Sequence, residues 1–84
     1  MLSMTADQVA FASECYDVED YIIEHLDEIS DKVINEDRLN IVKLRSEIIR
    51  AIDFVSENVA FVYKNHRQRV ILYGIDKFKE LTDF

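Results

Sequence analysis

The chain predicts an all-α fold: an antiparallel helical hairpin plus a shorter C-terminal helix, arranged like a three-helix bundle. Three observations predict it. The 84 residues contain no proline and one glycine, Gly74, so almost nothing obliges the backbone to leave a helix. Apolar residues recur three and four apart in three stretches. Polar gaps near residues 35 and 65 separate those stretches. The chain reads as a single helical domain, 1–84, with helices over about 6–34, 38–63 and 67–82.

The first helix opens on a capping box, Thr5-Ala6-Asp7-Gln8. The Thr5 hydroxyl can accept from the amide three residues on, and Gln8 can reach back. Asp7 adds a favourable charge at the positive end of the helix. Ala12, Cys15, Ile22, Ile23, Leu26, Ile29 and Val33 then fall on one side at about 100° per residue. Near residue 35 the phase slips by one position, and Asn35-Glu36-Asp37-Arg38 reads as a turn. Asn35 is expected to take the left-handed position after the helix, and Asp37 to cap the next one. One continuous helix with a coiled-coil stutter is the alternative.

The second helix carries Ile41, Leu44, Ile48, Ile52, Val55, Val59 and Val62 on its main stripe. Lys64-Asn65-His66 forms the next gap. A third helix follows, with Val70, Ile71, Ile75, Phe78 and Leu81 sharing a face and Gly74 at its edge. A glycine inside a helix costs up to about 1 kcal/mol relative to alanine, so it is either tolerated, a kink, or a point of close approach.

Charge is distributed unevenly. Residues 1–36 hold ten acidic side chains against Lys32, a net of −9; residues 37–84 hold seven acids and nine bases, a net of +2. Opposite the core stripe of the first helix, Asp17, Asp20, Glu24, Asp27 and Asp31 follow at spacings of three and four, with Glu28 beside them. At about 1.5 Å per residue the row is about 21 Å long. Like charges so spaced repel by a few tenths of a kcal/mol per pair, and an ordinary solvated face mixes in lysine to offset this. The row reads as a solvated face, as an electrostatic docking strip for a basic protein, one version being a mimic of nucleic-acid phosphates, or as a divalent-metal site, and the docking strip is the functional reading taken forward.

Phe54 and Phe61 lie seven apart on the side of the second helix opposite its main stripe, and aromatics there need a cover: the third helix, a second copy or another protein. Glu19 and Arg45 fall inside apolar stripes at different levels of the hairpin. Each is expected to find its own partner, because an unpaired buried charge is costly. The basic cluster Lys64, His66, Arg67 and Arg69, flanked by Tyr63 and Tyr73, resembles a thin nucleic-acid patch. It also suits a helix C-terminus, and the acidic balance argues against direct nucleic-acid or anionic-membrane binding.

Catalytic signatures are weak. Glu24-x-x-Asp27 resembles the metal-binding pattern of all-α nucleotide pyrophosphohydrolases. Those enzymes need a second such pair across the bundle, and Asp53 and Glu57, the nearest candidates, are four apart. His25 and His66 have no cysteine or second histidine at zinc spacing. Cys15 reads as a small apolar filler of the core, not a nucleophile. One glycine cannot build a phosphate loop. No cofactor or metal is expected.

The lone cysteine gives no sign of an oxidising compartment, the first residues lack a secretory pattern, and no run is long enough to span a membrane. A cytoplasmic location is the expectation. Together these features suggest a small interaction protein, an inhibitor, regulator or adaptor of the kind found in phages and mobile elements. It would bind a basic partner through Asp17, Asp20, Glu24, Asp27 and Asp31, with Phe54 and Phe61 as apolar contacts. A homodimeric helical subunit or chaperone-like module is the alternative, and a small metal-dependent enzyme the lesser one.

Overall fold

The computed structural model describes residues 3–58 and 64–84. Helix α1 runs Ala6–Glu24 and α2 Leu26–Val33. A two-residue strand β1 (Ile34–Asn35) pairs with β2 (Arg38–Leu39), and α3 spans Ile41–Asn58. A 3₁₀ turn at Lys64–His66 leads into α4, Arg67–Thr82. The fold is all-α and bundle-like: α1 packs on both α3 and α4, α3 packs on α4, and α2 packs on α3. Val59, Val62, Phe61 and Tyr63, read above as part of the second helix, lie outside the described residues.

The capping box forms as expected. The Gln8 amide donates to the Thr5 hydroxyl at 3.1 Å, and the Thr5 amide donates to the Gln8 side chain at 2.9 Å. The first helix is not continuous to residue 34, however. At His25 the backbone reaches φ −111° and ψ 23°, which bends the chain between α1 and α2. The His25 amide still donates to the Tyr21 carbonyl at 3.0 Å, so the break is a bend and not a turn. The local sequence has no Pro or Gly to announce it. It lets Ile29 and Val33 of α2 face α3, while Val18 and Ile22 of α1 pack in the core beside α3 and α4.

The turn sits where the polar gap placed it, but its chemistry is different. Asn35 pairs with Arg38, so Asn35 is strand, and the left-handed residues are Glu36 and Asp37, at φ 51° and 63°. Two consecutive positive φ values are what a two-residue hairpin loop needs to match strand twist. Nor does Asp37 cap the next helix. Asn40 does so, its side-chain oxygen accepting from the Lys43 amide at 3.1 Å, and α3 therefore starts at Ile41, not 38.

The core comprises Cys15, Val18 and Ile22 of α1, Ile29 and Val33 of α2, Leu44, Ile48, Ala51, Ile52 and Val55 of α3, and Val70, Ile71, Ile75 and Phe78 of α4. Val18 joins it, whereas Ile23, Ile41 and Leu81, expected inside, are exposed. The physical reason is that α1 touches two helices, so its buried arc is centred on Val18 and turns Ile23 outward. Gly74 marks close approach. A Cβ there would lie 2.7 Å from Ile48 Cγ2 and 3.5 Å from Ile22 Cδ1.

The two charges predicted within apolar stripes each have a partner. Glu19 accepts from the Tyr73 hydroxyl at 2.5 Å with Lys77 at 4.0 Å, and Arg45 donates to Gln68 at 3.1 Å.

Candidate functional site

The bend at His25 divides the acidic row: Asp17, Asp20 and Glu24 belong to α1, Asp27 and Asp31 to α2. Asp20, Glu24, Asp27 and Asp31 are exposed and Asp17 is partly so. Among the described residues none of these five carboxylates makes an ion pair. Lys32, the one cation nearby in sequence, turns instead to Glu47 of α3 at 3.6 Å, which Arg50 also approaches at 4.0 Å. The row's negative charge is therefore left uncompensated at the surface.

Phe54, half-exposed on α3, packs against Tyr21 of α1 with ring centroids 5.1 Å apart. Tyr21 in turn meets His25 one helical turn on, at 4.3 Å. Asp17 and Glu24 lie four residues before and three after Tyr21, which places them on neighbouring positions of the same helix face. The fold thus joins two features that were separate in the sequence: the acidic row and an aromatic patch of Tyr21, His25 and Phe54. Phe61 lies outside the described residues. Tyr21 carried no signal as a partner of Phe54, because their contact crosses from α1 to α3.

A second cluster was also not legible. His66 is fully buried, and each of its ring nitrogens meets a carboxylate: Nδ1 lies 2.6 Å from Glu14 Oε2, and Nε2 lies 2.9 Å from Asp7 Oδ1. Glu14 is itself buried, whereas Asp7 is exposed. A ring facing a carboxylate at both nitrogens satisfies both only when it is doubly protonated, because the neutral ring has a single N–H to donate. The Glu14 contact, and after it that of Asp7, holds the His66 pKa above the ordinary 6.5 against the opposing effect of burial. The Phe11 ring stands edge-on to the imidazole at 5.4 Å, and the Arg69 guanidinium lies 4.0 Å over the Phe11 ring. Asp7, Phe11 and Arg69 line a groove of about 620 Å³ together with Ser3, Met4 and Thr5. The seven-residue spacing of Asp7 and Glu14, on one helix face, was the one available signal.

This arrangement disperses the basic cluster. His66 is buried and Arg67 pairs with Asp53 at 3.3 Å, while Lys64 and Arg69 are exposed without an ion pair among the described residues, Arg69 stacking on Phe11. Cys15 is buried in the core, where burial first, and then the nearby Glu14 charge, push its thiol up to about 11. A thiol so protonated is a poor nucleophile near neutral pH. Among the described residues no group of three or more His, Cys, Asp or Glu side chains is arranged to hold a metal ion. No helix among them is long and apolar enough to cross a membrane.

Compared with protein-family models, with characterised proteins and with solved structures, the chain matches none.

Proposed function

We propose that the protein is an interaction module whose outer α1–α2 face docks on a basic protein surface. The observation that carries this reading is the Tyr21–Phe54 contact, which sets an aromatic anchor beside five unpaired carboxylates. Aromatics are favoured anchors at interfaces, and flanking charge steers encounter and selects register. A basic partner gains on both counts, because its lysine or arginine stems can lie over the rings while their charges meet the carboxylates. The function follows from occupying the partner: inhibition where the covered surface is a nucleic-acid site, regulation or adaptation elsewhere.

The test is affinity capture from nuclease-treated lysate, comparing the wild type with the triple variant Asp20→Lys, Glu24→Lys, Asp27→Lys. A basic protein retained by the wild type, released by salt and absent with the variant supports the docking face. Retention of the same proteins by both removes it.

A second reading rests on a different observation. Val9, Tyr16 and Ile23 are seven residues apart on the solvent side of α1 and are 53%, 64% and 50% exposed. Heptad-spaced apolar residues form the seam of paired helices, so this edge suits self-association as a homodimer. Light scattering on a dilution series distinguishes the two readings. A mass of one chain at every concentration eliminates the homodimer and leaves the docking face intact.

A further inference from the structure

We propose that the Glu14–His66–Asp7 cluster is a proton-operated clasp that ties the first turns of α1 to the start of α4 and lets them go when the imidazole loses one proton. The geometry is that of a clasp because its two contacts come from one helix, two turns apart, and meet on a single ring from the other end of the chain. The inner contact, Glu14, is buried and short. The outer contact, Asp7, is exposed and sits in the first turn of α1, beside the capping box.

A neutral imidazole has one N–H and one lone pair. It can donate to only one of the two carboxylates, and the lone pair then repels the other. The Glu14 contact is the shorter and the more buried of the two, so it keeps the remaining N–H. Asp7 can rotate into solvent at little cost, so the outer contact is the one lost. With it goes the tether on the turn that contains Thr5, Asp7 and Gln8, which also line the groove beside Phe11 and Arg69. The clasp therefore sets the shape of that groove.

Among the described residues, the charged groups on the elements packed against the ring that touch it, or lie within a helical turn of it in the sequence, can be named. From α1 they are Asp7 and Glu14. From the 3₁₀ turn and α4 they are Lys64, Arg67 and Arg69, of which Arg67 is engaged by Asp53 of α3 and Arg69 lies over Phe11. The two carboxylates that touch the ring favour its doubly protonated form.

The experiment uses the full chain. NMR titration of the His66 ring gives its midpoint in the wild type and in Asp7→Asn, a variant at an exposed position that leaves the core untouched. Amide exchange of Val9, whose N–H donates to the Thr5 carbonyl at 3.0 Å, reports the order of the first turn. Thermodynamic linkage then demands a quantitative match. In the wild type, Val9 protection should fall about tenfold per pH unit between the two midpoints, and level off above the higher one. In Asp7→Asn, protection should be lower and flat over that window. Equal midpoints in the two proteins overturn the clasp, as does Val9 protection that stays constant across the wild-type titration. A structural hydrogen bond without the switch would weaken the helix end in Asp7→Asn but leave the wild type independent of pH.

Discussion

Gly74 offers the sharpest test of the packing. A Cβ at this position would meet Ile48 Cγ2 at 2.7 Å, about 1 Å inside optimal carbon–carbon separation. Ile48 is fully buried and β-branched, and in a helix its χ1 is held to one rotamer, so the methyl cannot swing aside. Overpacking of this kind costs about 1–3 kcal/mol. Alanine also returns about 1 kcal/mol of helix propensity. Gly74→Ala in the wild type should thus be destabilising by about 1 kcal/mol net, the difference between those two effects.

Replacing Ile48 by Ala removes the obstructing methyl, at its own cost of about 2–5 kcal/mol. A chain of 84 residues at typical stability, about 4–13 kcal/mol, can absorb this near the middle of that range. In that background only the propensity gain remains, and Gly74→Ala should become stabilising by about 1 kcal/mol. The change of sign is the prediction, and the coupling in the double-mutant cycle should be about 1–3 kcal/mol. Urea unfolding followed by circular dichroism at constant m value measures all four proteins. If alanine at 74 stabilises both backgrounds equally, the close approach of α3 and α4 is not what requires a glycine there.

Three further outcomes are expected. Changing Glu36-Asp37 to Asn-Gly should stabilise the protein by about 1 kcal/mol, because two non-glycine residues now hold positive φ; an unchanged urea midpoint would contradict the hairpin geometry. The His66 contribution to stability should be fully present just below pH 6.5, while Asp7 and Glu14 are still ionised, and should be lost as pH rises through the His66 midpoint, since the folded value lies above the unfolded one. Glu14→Gln should flatten that decline in urea midpoints, and an equal decline in both proteins would exclude His66 as its source. The Asp20, Glu24 and Asp27 reversal should move stability by less than about 1 kcal/mol, since it trades like-charge repulsion for mixed charge on an exposed face; a collapse of helical circular dichroism would show these positions to be structural.

Readings that rested on short-range rules agree with the structure. The Thr5–Gln8 capping box, the turn near residue 36 and the end of the last helix at Thr82 are set by neighbours within a few residues. Cys15 as core filler and the partners of Glu19 and Arg45 follow from the cost of burying the wrong group. Readings that required knowing which element faces which did not agree. Ile23, Ile41 and Leu81 have the right spacing for burial and are nonetheless exposed, because periodicity gives a face but not the width or centre of what covers it. Asn35 and Asp37 have the right chemistry for caps, yet strand pairing of Ile34–Asn35 with Arg38–Leu39 moved the left-handed residues to Glu36 and Asp37.

The candidate site divides in the same way. Its charge was legible, since a run of carboxylates at helical spacing is a local property of residues 17–31. Its aromatic half was not, because Tyr21 and Phe54 are 33 positions apart and meet only when α1 packs on α3. His66 looked like a member of a basic surface cluster until α4 brought it against Glu14, 52 positions earlier. By itself the sequence determined that this chain is helical, where its first helix begins and its last one ends, and which half carries the charge, because those depend on interactions within one or two turns. Only the tertiary structure decided which charges are neutralised inside and which stay unpaired at the surface among the described residues, because that depends on contacts between residues that the chain places far apart.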